Sequence, residues 1–89
     1  MKSRTTTRFR QAYAALPEQV RRHAREAYRL FAQNPQHPSL RFRRVHPTLP
    51  VYSARVNIDY RAVGIRDGEE IVWFWIGSHG EYDQLLARL

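Results

Sequence analysis

From Val51 onward the chain alternates between apolar and polar positions. Tyr52, Ala54, Val56 and Ile58 are apolar, while Ser53, Arg55 and Asn57 between them are polar, which is the period of a half-buried strand. A turn over Asn57–Asp59 leads into a second strand, Tyr60–Ile65. Arg66-Asp67-Gly68-Glu69 then supplies a hairpin turn, because Asp-Gly accepts the positive backbone angles of tight loops. The third strand, Ile71–Ile76, is apolar at every position, so it is expected to be covered on both faces and to lie centrally in its sheet. Simple alternation within it puts Trp73 and Trp75 on one face and Phe74 on the other. Gly77 ends it, and Glu81–Leu89 reads as a short helix carrying Leu85, Leu86 and Leu89.

Upstream of Val51 the period becomes helical. Phe9, Ala12, Tyr13 and Leu16 share one face of a helix expected from about Arg8 to Leu16, capped by Thr7. Val20, Ala24, Ala27 and Phe31 line a second helix, Pro17–Gln33, which proline opens and Asn34-Pro35 closes. Glu18 with Arg22, and Arg22 with Glu26, stand one turn apart on its exposed side. Thr5–Thr7 are β-branched and read either as a short edge strand or as a lead without regular structure. Leu40–Val45 predicts a further short strand, with Leu40 and Phe42 on one face and Arg41 and Arg43 on the other. The prolines of His46–Pro50 make the following segment a rigid turn. The fold class is therefore α+β: one domain over residues 1–89, an N-terminal α-hairpin packed on an antiparallel sheet of three to four strands, with a short C-terminal helix. Eighty-nine residues, 43% of them hydrophobic, suit one core and not two.

Composition adds direction. Residues 1–58 carry twelve Lys/Arg against two acids and residues 59–89 three against six, which together give the net charge of +7. All but one of the fifteen basic residues are arginine, whose planar fork grips phosphate or carboxylate through two hydrogen bonds. That choice suits a polyanionic partner, either nucleic acid or an acidic protein segment, although arginine-favouring codons with ordinary solubility charge would give the same excess. There is no cysteine, the basic N-terminus MKSRTTTRFR is followed by no apolar run, and Ile71–Ile76 is too short to cross a bilayer. A cytoplasmic protein without a membrane partner is expected.

Candidate chemistry is concentrated in the C-terminal half. With the turn centred on Ile58, Arg55 and Arg61 face each other across the hairpin. Like charges so placed repel, which calls for something anionic between them. A bridging phosphate would serve, and so would a buried acid such as Asp59. His79 follows the last strand, where it can act as a proton donor or acceptor near neutral pH or as a structural residue. Asp83, one turn on, either orients it or simply occupies a first helical turn. His23, His37 and His46 lack metal-ligand spacing, so no metal site is expected. Trp73 and Trp75 offer rings for base stacking, although an apolar central strand favours packing.

At these residues the chain resembles a known family. Two helices followed by strands carrying YSARVNIDYRAVG and WFWIGSHGEYDQL, with NPQHPSL leading into LRFRRV, are similar to the RelE/ParE superfamily of bacterial type II toxin–antitoxin toxins. The resemblance covers almost the whole chain and implies a curved sheet under the α-hairpin. It implies a cognate antitoxin that wraps the toxin and, for the RelE branch, cleavage of mRNA on the ribosome with neither a metal nor a small-molecule cofactor. Carried over by position, it implies Arg55, Arg61, His79 and Tyr82 as catalytic residues and Arg41, Arg43 and Arg44 as RNA-binding residues. The general base has no clear match, with Glu81 the nearest candidate. The superfamily's ParE branch instead implies inhibition of DNA gyrase, and an inactive paralogue would serve only to bind antitoxin.

Overall fold

The computed structural model describes residues 1–89. The elements run β1 (Lys2–Thr5), α1 (Thr7–Ala14), α2 (Glu18–Gln33), a 3-10 turn (Pro38–Leu40), β2 (Arg43–Arg44), β3 (Val51–Arg55), β4 (Tyr60–Asp67), β5 (Glu70–Ser78) and α3 (His79–Arg88). The α+β architecture is the expected one, with an α-hairpin on one face of the sheet and a short terminal helix on the other. The strand count is larger. Five strands pair in the order β1-β5-β4-β3-β2, antiparallel except for β1, which runs parallel to β5.

The N-terminal residues thus form a true edge strand, one that begins earlier than Thr5–Thr7. Lys2 N–H donates to Glu69 O at 2.8 Å, and Trp73 Nε1 donates to Ser3 Oγ at 3.4 Å. Helix α1 is capped by Thr6, not Thr7: the Thr6 hydroxyl accepts from Phe9 N–H at 3.0 Å. Pro17 is the residue before the first turn of α2, and its carbonyl accepts from Arg21 N–H. Arg21 Nη1 also donates back to Leu16 O, which ties the two helices at their junction. On the exposed face Glu18 pairs with Arg22, but Glu26 turns to Arg29 and away from Arg22.

The expected strand over Leu40–Val45 is mostly absent. Leu40 closes the 3-10 turn and is fully buried under the hairpin, and Arg41 takes the left-handed conformation at φ 46°. That reversal breaks any extended run, so only Arg43 and Arg44 join the sheet, opposite Ser53 and Tyr52. At the other end, Gly68 adopts φ +60° in the two-residue loop of the β4–β5 hairpin, as the Asp-Gly signal predicts.

Two apolar clusters divide the core. On the hairpin side Phe31, Leu40, Ala54, Ala62, Ile71, Trp73 and Ile76 pack under α1 and α2. On the opposite side Val51, Val63 and Tyr82 pack with Trp75, Leu85 and Leu86 beneath α3. The two tryptophans therefore lie on opposite faces, against the reading from alternation. The cause is a bulge. Val63 pairs with Trp75 and Gly64 with Trp73, so Phe74 is the extra residue and the alternation of β5 inverts after it. Gly64 makes the bulge possible, since a Cβ there would meet Ile71 Cγ1 and Val72 O at 2.9 Å. No helix is long and apolar enough to cross a membrane.

Candidate functional site

The face of the sheet carrying Val51, Ser53 and Arg55 is only partly covered by α3. Where cover stops, at the β2–β3–β4 end, the side chains of Arg41, Arg43, Ser53, Arg55, Arg61, His79 and Tyr82 enclose a cavity of ≈ 190 Å³. Each position has a local cause. The left-handed turn at Arg41 brings Arg41 and Arg43 in from the short edge strand, and register places Arg43 beside Ser53. Arg55 and Arg61 are direct cross-strand partners. The capping box at Ser78 starts α3 in such a way that His79 and Tyr82 turn toward the same opening.

The electrostatics are unusual. Arg41, Arg43 and Arg55 make no side-chain hydrogen bond or ion pair with the protein, and no carboxylate lines the cavity. Asp59 does not fill that role: it is exposed in the β3–β4 loop, and its contribution is a backbone carbonyl that accepts from His79 N–H at 2.7 Å. Arg61 commits Nη1 to the carbonyls of Asn57 at 2.6 Å and Tyr60 at 2.9 Å, which holds the guanidinium across the loop and leaves Nε and Nη2 without a protein acceptor. Burial pushes the Arg61 guanidinium below its ordinary value, and Arg55 lowers it further, with Arg41 and Arg43 adding to the effect against an opposing influence of Tyr82. Four positive groups share a small space that contains no counter-charge.

The loop that anchors Arg61 is itself fastened. Asn57 Oδ1 accepts from Asp59 N–H and Tyr60 N–H, and its Nδ2 lies 3.0 Å from His23 Nδ1 on α2. At the rim, His79 Nδ1 lies 3.4 Å from Asp83 Oδ2. A carboxylate there favours a proton on Nδ1 and leaves Nε2 as the free basic position. Tyr82 is buried, and its hydroxyl donates to Ser53 Oγ at 3.1 Å.

Six of the seven residues named from the sequence converge on this cavity. Arg44 does not. It lies on the other face of β2 and donates to the carbonyls of His46, Thr48 and Leu49, clamping the proline-rich turn. Glu81 is also elsewhere: it accepts from Ser78 N–H and Ser78 Oγ as the third residue of the capping box, and these bonds hold its carboxyl below the usual range. The residue that sequence reasoning missed is Ser53, whose polar side chain in an alternating strand looks like a solvent-facing position. No group of three or more His, Asp or Glu side chains is placed to hold a metal ion.

Comparisons with known proteins converge on one fold. The chain superposes on RelE from the archaeal RelE–RelB complex of Pyrococcus horikoshii with TM-score 0.70 at 18% identity, covering 89% of this chain and 94% of that one. YafQ from Escherichia coli gives TM-score 0.69 at 11% identity over 91% and 96% of the two chains. A YoeB/ParE toxin from Agrobacterium tumefaciens gives 0.67 at 14% identity over 89% and 99%. At such identities the likeness is one of fold. No curated protein matches the sequence. Residues 18–84, well over half the chain, match the family model of the ParE-like toxin domain. The chain belongs to that family of ParE-like toxins, within the RelE/ParE superfamily.

Proposed function

We propose that this ParE-like toxin is the toxin of a toxin–antitoxin pair, and that it acts as an endoribonuclease on mRNA bound to the ribosome. The observation that carries the reading is the cavity itself: four arginines with no carboxylate partner, beside a buried tyrosine and a histidine that has an aspartate 3.4 Å from its Nδ1. Such a site suits one phosphodiester. At ≈ 190 Å³ it holds a phosphate and part of its sugar, with the bases left outside.

The chemistry can be assigned group by group. His79 Nε2 takes the proton of a ribose 2′-hydroxyl, and the 2′-oxygen attacks phosphorus. The developing dianionic phosphorane lies among Arg55, Arg61, Arg41 and Arg43, where fixed positive charge stabilises the transition state more than the ground state. The bond from phosphorus to the 5′-oxygen breaks, and that oxygen takes a proton from a neighbouring donor, a role open to the Tyr82 hydroxyl once it turns from Ser53 to the leaving oxygen at that step. The products are a 2′,3′-cyclic phosphate and a 5′-hydroxyl. The partner of the free toxin is an antitoxin, as RelB is for RelE in the solved archaeal complexes, and its contact segment is expected to be acidic.

The name of the matching family supports a second reading, in which the chain binds DNA gyrase. The two separate cleanly. Inducing the toxin and mapping mRNA ends should reveal new ends within translated regions, while gyrase supercoiling continues. Intact mRNA with arrested supercoiling would establish the gyrase reading in its place.

A further inference from the structure

Ser53 is the one buried residue of the molecule with a non-aromatic polar side chain, 4% exposed, and the proposed mechanism gives it no task. It sits on the cavity wall, in register with Arg43 on β2 and Val63 on β4. Burying a hydroxyl carries a desolvation cost unless its hydrogen-bonding groups are matched. Tyr82 matches only part of it. Two hydroxyls bring two protons, and the single bond between them uses one. With Tyr82 donating, the unspent proton belongs to Ser53. It has no acceptor in the protein, because the neighbouring cavity groups on the sheet side are guanidinium ions, which only donate.

From this we infer that Ser53 is an anion-binding residue of the arginine cavity, its hydroxyl donating to a non-bridging phosphate oxygen while Tyr82 fixes its direction. The inference rests on reading the cavity as a phosphodiester site. The division of labour is physical. Long arginine side chains attract an anion over a distance, but they leave its orientation loose. A hydroxyl on a buried strand, with one rotor pinned by Tyr82, selects which oxygen points to the floor. The bond is short-range, so its contribution survives salt that screens the arginines.

Calorimetric titration of the full chain with inorganic phosphate at fixed low ionic strength tests the assignment. Ser53→Ala is expected to weaken phosphate binding about tenfold or more, the usual consequence of losing a hydrogen bond to a charged group. Tyr82→Phe should weaken it less, since the donor stays and only its orientation is lost. Arg22→Ala on the exposed face of α2 should leave binding unchanged. Where Ser53→Ala fails to fold, Ser53→Cys, close in size and a poor donor, takes its place with the same expected loss. Phosphate binding equal to wild type in both Ser53 variants overturns the inference, as does a wild-type chain that binds no phosphate. A chain that binds phosphate through Ser53 but cleaves no mRNA overturns the nuclease reading alone.

Discussion

Removing the charge of Arg55 should make the free protein more stable while abolishing its function. Arg55 faces Arg61 directly across the β3–β4 ladder, neither has a carboxylate partner, and Arg61 is already held below its ordinary value by burial and by Arg55. At a separation of roughly 7 Å and an effective dielectric of about 40, Coulomb's law gives about 1 kcal/mol of repulsion. Cross-strand pairs measured in sheets fall between about 0.2 and 1 kcal/mol, so a relief of about 0.5–1 kcal/mol is expected. The substitution should be Arg55→Met, which removes the charge and keeps an unbranched apolar stem at this half-buried strand position. For a domain of this size the gain corresponds to a rise in Tm of about 2–8 °C. Calorimetric melts at low ionic strength, without phosphate, measure it. The difference should shrink toward zero as salt approaches 1 M, where the Debye length is about 3 Å. In phosphate buffer it should reverse, as the wild type gains the stabilisation of its bound anion. A lower Tm for Arg55→Met at low salt, with the same gap at high salt, would refute the claim that the cavity stores unneutralised charge.

Three further outcomes follow from particular residues. Glu81→Ala, which removes the acceptor of the capping box at Ser78, should cost about 1 kcal/mol at neutral pH. Because the folded-state carboxyl is held below its ordinary value, that contribution is present above the ordinary carboxylate pKa and is lost as pH falls through the folded value, so wild-type and mutant melts should converge on acidification. Gly64→Ala should destabilise by about 1–3 kcal/mol in urea melts, since its Cβ would meet Ile71 and Val72 at 2.9 Å in the bulge. Binding of single-stranded RNA should weaken by about 0.7 log units per log unit of salt for each phosphate contacted, and Arg43→Ala should flatten the slope.

Much of the fold is legible because its signals are local. The Asp67-Gly68 turn fixes the β4–β5 hairpin, and the period-four stripe Val20–Ala24–Ala27–Phe31 fixes α2 and its buried face. The pairing of Arg55 with Arg61 depends only on a short loop, so it too can be read from the sequence. What escapes reading depends on distant partners. Lys2–Thr5 has no apolar alternation, and it is a strand only because β5 presents a free edge to it. Leu40 looks like a strand residue until the hairpin above demands a plug, which it supplies from a 3-10 turn. Trp73 and Trp75 part company because Gly64, on another strand, admits a bulge. Ser53 reads as a polar, outward position because nothing nearby announces that Tyr82, 29 residues later, will cover it. Arg44 resembles its neighbours in type and differs only in the face it occupies.

The central claim is that the arginine cavity cuts mRNA on the ribosome, and a reconstituted system with purified ribosomes, a defined mRNA and the purified chain tests it most directly. Cleavage sites and end groups are read from end-labelled RNA. The account predicts cuts that require the ribosome, leave 2′,3′-cyclic phosphate and 5′-hydroxyl ends, and disappear with Arg61→Ala and His79→Ala variants that retain the wild-type fold. Intact mRNA on programmed ribosomes, or cuts unchanged in those two variants, would contradict it.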